Sequence, residues 1–201
     1  LYIVDEKKPF IGFFPPQIPL IVIKTIYLVP VFTLISFVLS AQEVSKEVAY
    51  YEDSIIYSTK NSAEHRTLSE AVIAAELDEI LDNDGPFTIF APSDAAFKKL
   101  SPEKIEDLLL PQNKAELKTL LTYHMIAGHL TASNILKAMC RGKGEATFTT
   151  VQGNVLTASM EGIDIVLRDK FGNKARITAA DANQCNGVIH VIDSVVLPKK
   201  I

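Results

Sequence analysis

Near its C-terminus the chain reads NQCNGVIHVIDSVVLP, residues 183–198, and this stretch restricts the fold more than any other. Six of the residues from Val188 to Val196 are Val or Ile. Asn186-Gly187 opens the run and Pro198 closes it, the composition and punctuation of a β-strand. Side chains alternate across a strand, so Val188, His190, Ile192, Ser194 and Val196 share one face and Ile189, Val191, Asp193, Val195 and Leu197 the other. Both faces are mostly apolar, which calls for cover on both sides of the sheet. His190 and Asp193 then point in opposite directions. They do not read as a catalytic pair; each is expected to be a structural polar group with its hydrogen-bond partner elsewhere in the fold.

What could supply those layers is legible upstream. TLSEAVIAAELDEIL, from Thr67, spaces Leu68, Ala71, Val72, Ala75 and Leu81 as one helix, with Thr67 and Glu70 as a capping box. DNDGP ends it and FTIFAP follows as a short strand with Phe87, Ile89 and Ala91 on one face. Ser93 offers a cap to a helical turn. Ser101-Pro102 starts a helix to about Leu110 with proline at its preferred first position, and Asn113 with Glu116 cap KAELKTLLTYH. HMIAGHLT reads as a strand and ASNILKAM as one more helix. The character then turns to β: EATFTT, NVLTAS, IDIVLRD and KARITAAD are short strands separated by Gln152-Gly153, Glu161-Gly162 and Gly172-Asn173, all hairpin-turn sequences. Helices first and an antiparallel sheet afterwards predict an α+β domain.

The N-terminus is a different material. Ile26 to Ala41 is sixteen residues without a charge, preceded by Lys24 and ending at Ser40-Ala41, which resembles a signal peptide. The run is shorter than the roughly 20 residues of a membrane span, and Pro30 interrupts it. Residues 1–41 are therefore expected to be an extension with a signal peptide or, uncleaved, a membrane anchor, the sole route to a membrane. Residues 42–60 are expected to be a linker leading into a domain over 47–198. With 20 Lys and Arg against 24 Asp and Glu, and no basic cluster longer than a dipeptide, nucleic acid is not an expected partner. Cys140 and Cys185 suit an oxidising compartment; paired, their 45-residue separation would stabilise by about 4 kcal/mol. Both the paired and the unpaired forms stay open.

No catalytic constellation assembles. His124 and His129 fall on opposite faces if HMIAGH is extended, and no His-x-x-x-His or paired-cysteine motif exists, so no metal site is expected. There is no Gly-x-Ser-x-Gly elbow. RGKGEATFTT has its glycines too close for a phosphate loop and reads as a turn. No cofactor is implied.

Three stretches carry specific information together: DGPFTIFAPSDAAFKKL (84–100), LTYHMIAGHL (121–130) and NGVIHVIDSVVLP (186–198). In this order and at these separations they resemble the first signature box, the Tyr-His motif and the second signature box of the fasciclin domain family. The resemblance implies a wedge of helices packed on a twisted, β-sandwich-like antiparallel sheet, with the second box paired to the first. It implies an exported, bacterial-type, non-catalytic module for adhesion at a cell surface or in extracellular matrix, whose partner is a protein or polysaccharide; the alternative is a periplasmic module for a small ligand or glycan. Tyr123 and His124 match positions implicated in adhesion by matrix members of the family, and the bland reading of His124 is a buried histidine supporting the sheet. Asp181 is the third candidate binding residue. The acid-plus-isoleucine integrin motif of some animal relatives falls at Asp181-Ala182, where alanine replaces isoleucine, so integrin recognition is not carried over.

Overall fold

The computed structural model describes residues 54–198. The signal or anchor segment expected over 1–41, and residues 42–53 of the expected linker, lie outside the described residues. The rest of that linker is an element: Ile55–Lys60 form helix α1, capped by Ser54, with Ile55, Ile56 and Thr59 buried.

The single helix expected from Thr67 is two, α2 (Arg66–Ala74) and α3 (Asp78–Asn83). Between them Glu76 takes φ +52°. The Leu77 N–H donates to the Val72 carbonyl at 3.1 Å and the Glu76 N–H to the Ile73 carbonyl at 3.0 Å. This is a Schellman stop with glutamate where glycine is usual, anchored by buried Leu77 and by an ion pair from Lys114 to the Glu76 carboxylate. The expected capping box is also absent, since the Thr67 N–H donates instead to Asp94 Oδ1 at 2.9 Å, from a residue 27 positions away. Burying Leu77 and docking Asp94 override a continuous local pattern.

Strand β1 (Phe87–Pro92) leads through the Ser93 cap into α4 (Asp94–Phe97), and Ser101 caps α5 (Pro102–Leu109). A 3₁₀ turn (Pro111–Asn113) precedes α6 (Lys114–Tyr123). Asn113 does not cap α6 with its side chain; its amide donates to the Asp107 carbonyl and Oδ1, at 2.7 and 2.9 Å. Then come β2 (Met125–Ala127), α7 (Ala132–Arg141), β3 (Glu145–Thr149), β4 (Val155–Glu161), β5 (Asp164–Arg168), β6 (Lys174–Gln184) and β7 (Gly187–Ile192). Among the described residues no helix is long and apolar enough to cross a membrane.

The sheet runs β2-β1-β7-β6-β5-β4-β3. Its pairings are antiparallel except β1 with β7, which is parallel in the register Phe87↔Gly187 to Pro92↔Ile192. This pair is a wall between two cores. Ile89, Ala91 and Ile189 face the core of α1, α2, α3, α5 and α6; Phe90 and Ile192 face a second core with Tyr123, Ile135, Leu156 and Leu167, under α7. Two-sided cover is what the last apolar run demanded. The parallel approach is tight enough that a Cβ on Gly187 (φ +153°) would stand 1.9 Å from the Phe87 carbonyl oxygen, so glycine is required there.

Candidate functional site

The Tyr-His motif closes α6. Leu117, Leu120 and Leu121 turn into the helical core, while Tyr123 turns into the sheet-side core and His124 is the C-terminal cap residue. Both side chains are buried, and their rings meet edge to face at 6.4 Å.

Each polar atom of the pair is held from inside. His124 Nδ1 lies 2.9 Å from the Leu120 carbonyl, and the Val196 N–H donates to His124 Nε2 at 3.2 Å. A carbonyl can only accept and a backbone N–H can only donate, so Nδ1 carries the proton and the ring is neutral. Burial pulls the His124 pKa down to about 4, against the raising effect of the Leu120 carbonyl. The Tyr123 hydroxyl donates to the Val155 carbonyl at 3.2 Å. Burial first, and the nearby Asp169 charge second, push its pKa up to about 12, while a hydrogen bond from the Lys170 backbone acts the other way.

His190 is built to the same plan with the opposite tautomer. The Asp181 N–H donates to its Nδ1 at 3.2 Å, and Nε2 lies 2.7 Å from the Leu130 carbonyl, so Nε2 carries the proton. Fully buried, the ring stacks on Phe90 at 5.7 Å, and burial is the main cause of its lowered pKa. Asp193 belongs to a different network: Oδ1 accepts from the Arg176 N–H at 2.9 Å and from the Ser194 hydroxyl at 3.1 Å, and Oδ2 lies 3.4 Å from Lys99 Nζ. The two do not meet.

The structure places the expected binding residues as follows. Tyr123 and His124 offer no side-chain surface to a partner, because the helix end they occupy is enclosed by both cores. Asp181 is exposed but is engaged in the fold: at φ +60° it forms the irregularity between β6 and β7, and its Oδ1 accepts the Ala132 N–H at the start of α7, at 2.7 Å. Cys140 and Cys185 are both exposed, and no disulfide joins them. Among the described residues no three His, Cys, Asp or Glu side chains gather as a metal ion requires.

Three polar residues were missed. Asn186 is buried; its Oδ1 accepts the Ile55 N–H at 2.9 Å, its amide donates to the Leu81 carbonyl, and its own carbonyl accepts from Phe87 N–H at 3.0 Å. One side chain thus ties α1 and α3 to the entry of the parallel pair, where the sequence suggested merely a turn. Asp169, also buried, collects the N–H groups of Phe171 (2.8 Å), Asn173 (2.9 Å) and Leu197 (3.1 Å). Its position just before Gly172-Asn173 was the signal, since aspartate commonly folds such turns around its own carboxylate. His65 is the third: buried beside Ser62, whose hydroxyl lies 2.8 Å from Nδ1, it leaves Nε2 without a partner among the described residues.

Around the Tyr-His motif these bonds converge three loops. The Val151 and Gln152 N–H groups donate to the Met125 and Thr122 carbonyls at 2.8 and 3.2 Å; Tyr123 holds Val155; and His124 and Asp169 hold the chain at Val196 and Leu197. The larger described cavity, about 20 Å³, lies in the helical core between Ile55, Leu68, Leu81, Leu121 and His124, room for about one water.

Comparison with known proteins places this architecture. The family model of the fasciclin domain matches residues 63–198. Protein sll1483 of a Synechocystis species is 42% identical over 132 residues, 66% of this chain and 66% of its own length. The cell surface glycolipoprotein MPB83 of Mycobacterium bovis is 32% identical over 116 residues, 58% of this chain and 46% of its own. Among solved structures, a FAS1 domain pair from the insect cell adhesion molecule fasciclin I superposes with a TM-score of 0.64 at 19% identity, covering 72% of this chain and 50% of that one.

Proposed function

The chain belongs to the fasciclin domain family, and from that premise we propose that it is an exported, non-catalytic interaction module acting in adhesion at a cell surface or in extracellular matrix. Relatives bearing the names of a cell surface glycolipoprotein and a cell adhesion molecule support the location and the role. The observation that carries the non-catalytic reading is the state of the two motif histidines. A general base needs a nitrogen that can reach a substrate, and all four ring nitrogens of His124 and His190 are engaged by backbone groups. The alternative is a module for a small ligand; the helical-core cavity beside His124, with room for about one water, is too small to be its site.

A single small domain adheres weakly, and many copies on a surface strengthen it. The test displays the full chain on beads beside the soluble form and measures retention on intact producing cells and their matrix. Retention of beads but not of the soluble chain is expected. Failure of both formats overturns the adhesion reading, and the small-ligand alternative is then tested by thermal shift against sugars and lipids.

A further inference from the structure

A buried Tyr-His motif cannot touch a partner, yet it fixes what can. Val151 and Val155 belong to the β3–β4 hairpin whose backbone is bonded to Thr122, Tyr123 and Met125. Lys170 and Phe171 belong to the β5–β6 turn wrapped around Asp169, and the Lys170 backbone also reaches the Tyr123 hydroxyl. Both turns therefore meet at one phenol. They carry exposed apolar side chains: Val151 and Val155 at 46% and Phe171 at 44%. The Lys170 ammonium lies 5.2 Å from the Phe171 ring centroid, and among the described residues it takes part in no ion pair. Its one acidic sequence neighbour, Asp169, faces inward and is committed to backbone N–H groups.

On a chain of net charge −4 this is a local reversal, apolar and positive. The other hairpin tip differs. Ile163 there is 93% exposed, but the cations beside it are neutralised, Lys174 by Glu161 and Arg176 by Asp164. A surface that pairs its own charges is built to be solvated; one that leaves a cation over an exposed ring beside two valines is complementary to an acidic, apolar partner.

We propose that Val151, Val155, Lys170 and Phe171 form the contact surface of this domain, that Tyr123 and His124 are positioning residues beneath it, and that its partner is a protein segment carrying apolar side chains next to carboxylates. The inference rests on the interaction-module reading above and names the surface and partner class for it. A protein segment fits better than an anionic membrane. Three apolar side chains around one cation form a small patch of the kind on which a protein contact concentrates its binding, whereas a single lysine falls short of the basic cluster that holds a segment at an anionic bilayer.

The test uses the full chain on a sensor surface with two twelve-residue peptides, one alternating leucine with aspartate and one leucine with lysine, and with phosphatidylglycerol vesicles as the membrane arm. The aspartate peptide is expected to bind about tenfold more tightly than the lysine peptide. Lys170→Glu inverts that preference, a readout that loss of folding cannot imitate, and Phe171→Ser weakens both peptides while thermal unfolding is unchanged. Equal binding of the two peptides, variants that match the parent, or capture by vesicles alone each overturns the proposal. The same beads on cells separate the two readings. Parent and variants retained equally leave adhesion standing and remove this surface; a charge-dependent peptide preference without cell retention keeps the surface and removes adhesion.

Discussion

The wall between the two cores and the outer face of the β3–β6 sheet handle polar groups in opposite ways. In the wall and at its margins, Asn186, His190, His124 and Asp169 each hold several backbone groups at once, and each is buried. On the outer face, Arg168 pairs with Glu145, Lys174 with Glu161 and Arg176 with Asp164, each pair open to solvent. The first kind of contact fixes where chain segments lie, because an orphaned buried donor or acceptor is expensive. The second keeps a surface soluble and contributes little to stability. The difference predicts a steep gradient of mutational effect across a few strands.

The steepest point is Gly187. Gly187→Ala places a methyl against the Phe87 carbonyl, so the parallel pair must separate, with an expected loss of more than about 4 kcal/mol; denaturant melts showing less than half of that would mean the register is looser than described. Asn186→Ala comes next. It orphans the Ile55 N–H and the Leu81 carbonyl, both buried, for about 3–4 kcal/mol, and hydrogen exchange should show α1 losing protection before the sheet does.

That second prediction concerns what the sequence concealed. The two-faced strand, the helix caps at Ser93 and Ser101 and the β-hairpins were readable because each is a local pattern: alternation, a serine before a helix, a glycine in a turn. The break at Glu76 was not, since nothing marks glutamate as a helix stop; Leu77 is drawn into the core, and Lys114, from 38 positions away, joins Glu76. Thr67 and Asn113 look like caps locally and lose to Asp94 and Asp107 in space. The candidate site divides along the same line. The strand period placed His190 and Asp193 on opposite faces, and a buried His124 supporting the sheet was among the readings of the sequence, but the bond from Val196 to His124, the use of Asp181 as a cap for α7, and the triple role of Asn186 all depend on residues more than 40 positions away. Contacts closed between residues distant in sequence leave little local trace, Asp169 before its turn being the exception.

A third prediction grades the wall by pH. His124 has its pKa lowered by burial to about 4 from 6.5. Its contribution is present in full above about pH 6.5, where neither state binds the proton, and is lost as pH falls towards 4, because the unfolded chain takes up the proton first. The loss is on the order of 3 kcal/mol. His190 acts in the same direction, by its own lowered pKa. Stability measured from pH 7.5 to 4 should fall accordingly, and His124→Gln should flatten part of the slope; a pH-independent parent would contradict the buried neutral ring.

At the shallow end, Arg168→Ala removes an exposed partner of Glu145 and should cost less than about 1 kcal/mol, diminishing further in high salt. A loss comparable to that of Asn186→Ala would erase the contrast between the two regions.

The most direct measurement is the tautomeric state of the two motif histidines, read from long-range nitrogen–proton correlations of the nitrogen-15-labelled full chain at pH 7. His124 should carry its proton on Nδ1 and His190 on Nε2, both neutral and neither in exchange with the other form. A charged ring, or a shared or averaging tautomer, would show nitrogens open to solvent or ligand and would contradict the account of the Tyr-His motif as an internal support for the surface above it.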